Sequence, residues 1–185
     1  GRHLVTYPLS GGRLNIVAVQ ERSGWAAEGW HHNDEPGNLR QAFADCSWEI
    51  KGILGDVEKV NLWGLFRHPV AAKWHAGSIA ILGDAAHPTL PFLAQGANLA
   101  IEDAYVLARV CNESSELEQA LRDYQSQRRA RVVKAIAAAN SNARNYHQGG
   151  LKKVVAHAGL RAMGAVAPDA FLNRLGWLYD HDVTA

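Results

Sequence analysis

Apolar and polar positions alternate through His3-Leu4-Val5-Thr6-Tyr7 and again from Arg13 to Glu21, the period-two pattern of strands that bury one face. Ser10-Gly11-Gly12 supplies turn residues between them, so the chain is predicted to open on a hairpin with His3, Val5 and Tyr7 on one face. From Asn38, suited to an N-cap, the period lengthens to that of a helix through Leu39, Phe43, Cys46, Ile50 and Ile53, closing at Gly55-Asp56. Val60 to Arg67 reads as another strand with Trp63 and Phe66 as its bulky members, and Arg67-His68-Pro69 as a surface turn. Lys73 to Gly77 then turns the chain into a short apolar strand, Ser78 to Leu82, that ends at Gly83-Asp84.

After Gly96 the pattern is helical to about Asn112, with Ala100, Ala104, Leu107, Ala108 and Cys111 predicted as the packed stripe. Ser115-Glu116-Leu117-Glu118 has the form of a capping box and opens a second helix expected to run to about His147, ahead of Gly149-Gly150. Leu151 to Ala165 and Asp169 to Tyr179 read as two shorter helices parted by Pro168, with Trp177-Leu178-Tyr179-Asp180 as an aromatic plug. Trp25, Trp30, His31 and His32 fall in a Gly- and Glu-rich connection to Pro36, expected to be an exposed loop and not a metal site.

Composition narrows the function classes. The 185 residues can bury a sizeable core. A net charge of +1 and the lack of a dense Lys/Arg patch give no footing for nucleic acid. No apolar run is long enough for a membrane span. Cys46 and Cys111 read as buried thiols of a reducing compartment, which makes the cytoplasm the expected location. No ligand spacing for zinc is present.

The chemistry concentrates between Ile81 and Ala104. Asp84, at the end of a strand, can accept hydrogen bonds from the hydroxyls of a ribose or polyol, and Gly83 leaves room for close approach. At Gly96-Ala97-Asn98 no large side chain shields the start of a helix, whose free N–H groups carry roughly half a positive charge and suit an electron-rich ligand. Pro88 and Pro91 stiffen the bridge between these two anchors. Glu102 and Asp103 fall early in the helix and are expected to stabilise it. As neighbours they diverge by about 100° and do not form a catalytic carboxylate pair.

Gly83-Asp84-Ala85-Ala86-His87, followed by Pro91, Gly96 and Glu102-Asp103-Ala104, resembles the second flavin-binding motif of the FAD-dependent aromatic hydroxylases. Leu90-Pro91-Phe92-Leu93-Ala94-Gln95-Gly96-Ala97 most resembles the salicylate hydroxylase and 3-hydroxybenzoate 6-hydroxylase branch. The resemblance implies that Gly83 and Asp84 meet the ribityl chain of FAD, that Pro91 lies beside the isoalloxazine, and that Gly96, Ala97 and Asn98 face the flavin N1 and C2 carbonyl. It further implies His3 as the base for the substrate phenol, with Tyr7 and Gln95 holding a small aromatic acid, and Leu90, Pro91 and Phe92 as an apolar lid. NADH or NADPH and O2 would be the co-substrates, acting through a flavin hydroperoxide.

The expected fold is accordingly mixed α+β (α/β), the C-terminal part of a Rossmann-like FAD/NAD(P)-binding monooxygenase. Residues 1–76 would be the remainder of an antiparallel substrate-binding sheet, 77–148 the FAD-binding segment and 149–185 a helical tail. Gly-x-Gly-x-x-Gly, which holds the ADP pyrophosphate in such folds, is not present in the sequence. The chain is therefore expected to lack an N-terminal Rossmann half and to expose apolar surface suited to self-association. The alternative is a truncated, non-catalytic flavin-fold module acting only in association. A hydrolase built on Asp84 and His87 lacks a nucleophile at a strained turn.

Overall fold

A computed structural model describes residues 1–22, 24, 29, 31–146, 150–166 and 173–185. The chain divides into two compact units, Gly1–Phe66 and Arg67–Ala185. The division falls before the boundary expected after residue 76, and the described residues beyond 149 cluster with those of 77–148.

In the first unit, β1 (Arg2–Leu9) and β2 (Arg13–Gln20) form the expected antiparallel hairpin, with His3 opposite Val19 and Tyr7 opposite Asn15. Its tight connection puts Gly11 and Gly12 at φ of 73° and 69°, where a Cβ would be strained. β3 (His32–Asp34) pairs antiparallel with β4 (Val60–Leu62). His32, expected in a loop, is thus a strand residue, and the strand expected from Val60 to Arg67 stops at Leu62. Trp25 and Trp30 lie outside the described residues.

The single helix expected from Asn38 is two: α1 (Pro36–Ala42) and α2 (Trp48–Gly55). The reason is local. Pro36 takes the first helical position, where its missing N–H costs nothing, and Asn38 is no N-cap, because its side-chain amide donates to Asp34 Oδ1 at 2.6 Å. Arg40 then donates to the carbonyls of Leu54, Gly55 and Val57, the last at 2.8 Å, satisfying acceptors left open at the end of α2. Phe43 and Leu54 are the buried apolar side chains among the described residues of this unit.

The second unit begins with a minimal hairpin, β5 (His75–Ala76) and β6 (Ile79–Ala80). The strand expected from Ser78 to Leu82 is therefore short, and Gly83–Ala85 forms a 3-10 turn. Two long helices follow, α3 (Gly96–Glu113) and α4 (Leu117–Tyr146), packed on each other, then α5 (Gly150–Val166) and α6 (Gly176–Tyr179). Pro168 lies outside the described residues. The core gathers Trp74, Leu99, Val106, Val110, Tyr124, Val132 and Leu178, each large apolar side chain worth about 1.5–3 kcal/mol when fully buried.

Two expectations for these helices are corrected. The connection before α4 is organised by Ser114, whose Oγ accepts the Glu116 N–H at 3.2 Å and donates to the Glu116 carbonyl, not by a Ser115/Glu118 box; Glu118 instead pairs with Arg122. The packed stripe of α3 runs through Leu99, Glu102, Asp103, Val106 and Val110, leaving Ala104, Ala108 and Cys111 exposed. Cys111 is therefore not the buried thiol expected. Among the described residues no helix is long and apolar enough to cross a membrane.

Candidate functional site

The turn carrying Asp84 is built around one glycine. Gly83 is buried at φ +56°, and a Cβ there would lie 3.0 Å from the Cβ of Ala100 on α3. Its small size thus lets the turn pack on the helix, and its carbonyl accepts the N–H groups of Ala86 and His87, each at 2.9 Å. Asp84 is left exposed, and its carboxylate has no hydrogen-bond or ion-pair partner among the described residues.

Between this turn and α3, Pro91 is the first residue of a 3-10 turn, Pro91–Leu93, and is itself exposed. Phe92 and Leu93 are buried, and Ala94 adopts φ 52°, a left-handed conformation uncommon for a residue with a Cβ. Neighbouring helices hold this shape. Asn142 of α4 donates to the Phe92 carbonyl at 2.9 Å, and the Tyr179 hydroxyl donates to that of Leu93 at 3.2 Å.

The first backbone bond of α3 runs from Leu99 N–H to the Gln95 carbonyl. The N–H groups of Gly96, Ala97 and Asn98 therefore have no intrahelical acceptor. A Cβ at Gly96 would meet no described atom within 4 Å beyond its chain neighbours and its own helix backbone, and Ala97 and Asn98 are exposed. Gln95 is 3% exposed and donates to the Leu93 carbonyl at 3.4 Å. It also lines, with Asn98, Tyr179 and His181, a cavity of about 220 Å³ beside the helix start. His3, half-buried, and Tyr7, 48% exposed, stand on β1 of the other unit.

Beneath the site lies an ionic network that the sequence reading did not find. Asp103, fully buried, accepts at Oδ2 from the Gly83 N–H at 3.1 Å and from His87 Nε2 at 2.5 Å, and at Oδ1 from Arg128 Nε at 2.8 Å. Arg128 also pairs with Glu102 at 2.7 Å, and Arg131 donates to both Glu102 oxygens at 2.8 Å and to the Trp177 and Leu178 carbonyls. His181 lies 3.9 Å from Glu102. Burial pushes both carboxyls up, but the bonds from His87, Arg128 and Gly83 hold Asp103, and those from Arg131 and Arg128 hold Glu102, below their ordinary values. Burial foremost, then the Asp103 charge, pushes the Tyr124 phenol above its ordinary value. It remains a donor to the Ile81 carbonyl at 3.3 Å.

One signal for this network was present in the sequence. Glu102 and Asp103 fall in helical phase with Leu99, Val106 and Val110, and acids on a packed face demand buried cations.

The site thus consists of a carboxylate without a partner among the described residues, on a turn packed against α3, and three amides without intrahelical acceptors at the start of the same helix. That donor and acceptor set fits a polyol chain at one end and an electron-rich heterocycle at the other, as FAD presents. The model of the FAD binding domain family matches residues 5–139, and the chain belongs to that family. It is 34% identical over 148 residues to 3-amino-4-hydroxybenzoate 2-monooxygenase PtmB3 of Streptomyces platensis, covering 78% of this chain and 37% of that protein. Against salicylate hydroxylase of Pseudomonas putida it is 28% identical over 99% of this chain and 43% of that protein. The crystal structure of Klebsiella pneumoniae HpxO complexed with FAD and uric acid superposes with a TM-score of 0.68 at 22% identity, over 94% of this chain and 44% of that one. The chain therefore spans well under two thirds of each of these relatives.

Proposed function

We propose that this chain supplies the riboflavin-facing part of an FAD-dependent monooxygenase that hydroxylates a small phenolic aromatic acid, of the hydroxybenzoate type named among its relatives, with NAD(P)H and O2. The carrying observation is that an exposed Asp84, without a partner among the described residues, lies on a turn packed against the helix whose first N–H groups, at Gly96, Ala97 and Asn98, have no intrahelical acceptor. Asp84 would accept from ribityl hydroxyls. The three amides would face the pyrimidine edge, where reduction places negative charge, by fixed dipoles that need no reorganisation. FAD, when bound, supplies hydride acceptance and the activation of oxygen.

The chain's own side chains would do the rest. His3 takes the phenol proton, a task suited to an imidazole at neutral pH. Tyr7 and Gln95 orient the acid, and Leu90, Pro91 and Phe92 exclude water. The test uses the purified protein carrying this chain. Asp84→Ala should weaken FAD binding about tenfold, the worth of a charge-assisted hydrogen bond. His3→Ala should retain flavin but slow substrate-dependent NAD(P)H oxidation by about a hundredfold or more, and raising the pH should restore part of the rate. Wild-type flavin affinity in the first variant, or wild-type turnover in the second, would remove these assignments.

A further inference from the structure

Asp103 sits on α3, the helix whose start offers the open amides, and reaches back to the turn that carries Asp84. Its single oxygen Oδ2 accepts both the Gly83 N–H, one residue before Asp84, and His87 Nε2, three residues after it. We propose that the Asp103–His87 pair is the positioning element of the flavin site, a clamp that fixes the Asp84 carboxylate relative to the amides of Gly96, Ala97 and Asn98. The inference rests on the flavin reading above and adds to it residues that do not touch the cofactor.

Three observations carry it. The clamp brackets Asp84 in sequence, so the turn cannot rotate without breaking one of the two bonds to Oδ2. Both partners are closed to water: Asp103 is fully buried and His87 is 1% exposed, so solvent offers no replacement donor. The imidazole is also held by packing, its ring centroid 5.2 Å from that of Trp74. Because a carboxylate only accepts, His87 must carry a proton on Nε2. Among the described residues its buried Nδ1 meets no hydrogen-bond partner, and the bond to Asp103 is the polar contact they give the ring. Arg128 on the far oxygen keeps Asp103 ionised and its plane fixed.

Glutamine and asparagine at position 87 separate this role from mere packing. A glutamine amide reaches the place of Nε2 and can still donate to Asp103, whereas an asparagine amide reaches only the place of Nδ1. Titration of the flavin-free protein with FAD, followed by flavin fluorescence, should give His87→Gln an affinity within about threefold of wild type and His87→Asn one about tenfold weaker. Flavin bound to His87→Asn should show a visible circular dichroism spectrum shifted toward that of free FAD. His87→Phe keeps the ring against Trp74 and should match His87→Asn; where it does not fold, the Gln and Asn pair still decides the matter.

Equal affinity and spectra in His87→Asn and wild type, or equal losses in His87→Gln and His87→Asn, would overturn the clamp. The two readings fail differently. A wild-type protein that takes up no FAD sinks the flavin assignment itself. A wild type that binds FAD and is weakened by Asp84→Ala, alongside indifferent His87 variants, sinks the clamp alone.

Discussion

Replacing Arg128 with methionine is expected to lower the stability of the second unit by about 3–5 kcal/mol, the usual consequence of stripping one partner from a buried ion pair. The guanidinium is 2% exposed and serves three acceptors: Asp103 Oδ1, Glu102 Oε2 and the Leu99 carbonyl. Methionine fills similar space, so the loss is electrostatic. Asp103 would be left fully buried with only the donors of Gly83 and the His87 ring, while Glu102 keeps Arg131. A total stability of about 5–15 kcal/mol leaves little margin for such a loss. Arg129 is exposed one position away, and Arg129→Met should change stability by no more than about 0.5 kcal/mol.

The same network sets a pH dependence in the wild type. Asp103 and Glu102 both titrate below their ordinary values when folded. Their stabilisation is thus fully present above the unfolded carboxylate range, about pH 4, and is lost as pH falls through the lowered folded values. Urea denaturation of wild type and Arg128→Met at pH 7 and pH 3 checks both points. The gap between them should be wide at pH 7 and narrower at pH 3, where the carboxyls begin to protonate. A variant within about 1 kcal/mol of wild type at pH 7 would show that Asp103 finds compensation elsewhere.

Much of the architecture was legible where one residue type dictates one backbone shape. Ser10-Gly11-Gly12 announced its hairpin because only glycine tolerates φ near +70° at low cost. Gly96 and the run after it announced α3 to within a residue of its end. The motif from Gly83 to Asn98 announced the family. Legibility failed where tertiary partners overrode local pattern. Hydrophobicity alone sets the α3 stripe one position out of phase, through Ala100, Ala104 and Cys111, because it moves acids to the surface. The structure buries Glu102 and Asp103, since Arg128 and Arg131, a long way off in sequence, neutralise them. The strand expected to reach Leu82 shrank to Ile79–Ala80, because Gly83 takes positive φ to seat its turn on Ala100. Nothing local in the sequence discloses the bond of His87 to Asp103.

Trp74→Ala is expected to be as damaging as Arg128→Met, by about 3–5 kcal/mol, through a different mechanism. Trp74 is completely buried between the Asp84 turn and α4, its ring 5.2 Å from that of His87 and 5.5 Å from that of Tyr124. Its indole N–H donates to the Ala71 carbonyl at 3.0 Å, and its backbone N–H donates to Gln125 Oε1 of α4 at 2.7 Å. Its own carbonyl accepts the Ile81 N–H at 2.9 Å, while the Ile81 carbonyl accepts from Tyr124. Alanine would open a cavity against His87 and leave the Ala71 carbonyl without the indole donor, so cavity and polar losses add. Trp74→Phe keeps an aromatic ring in the space and gives up the indole bond, and should cost about 1–2 kcal/mol. The side chain is also the wall against which the His87 ring is held, so the two variants should part in function as well as stability. Calorimetric melting with FAD titration on the same samples tests this: Trp74→Ala should lose flavin affinity along with stability, and Trp74→Phe should retain most of its affinity. If Trp74→Ala melts far below wild type yet binds FAD equally well at a temperature where it is folded, the indole supports the core without ordering the turn, and His87 is held by Asp103 alone.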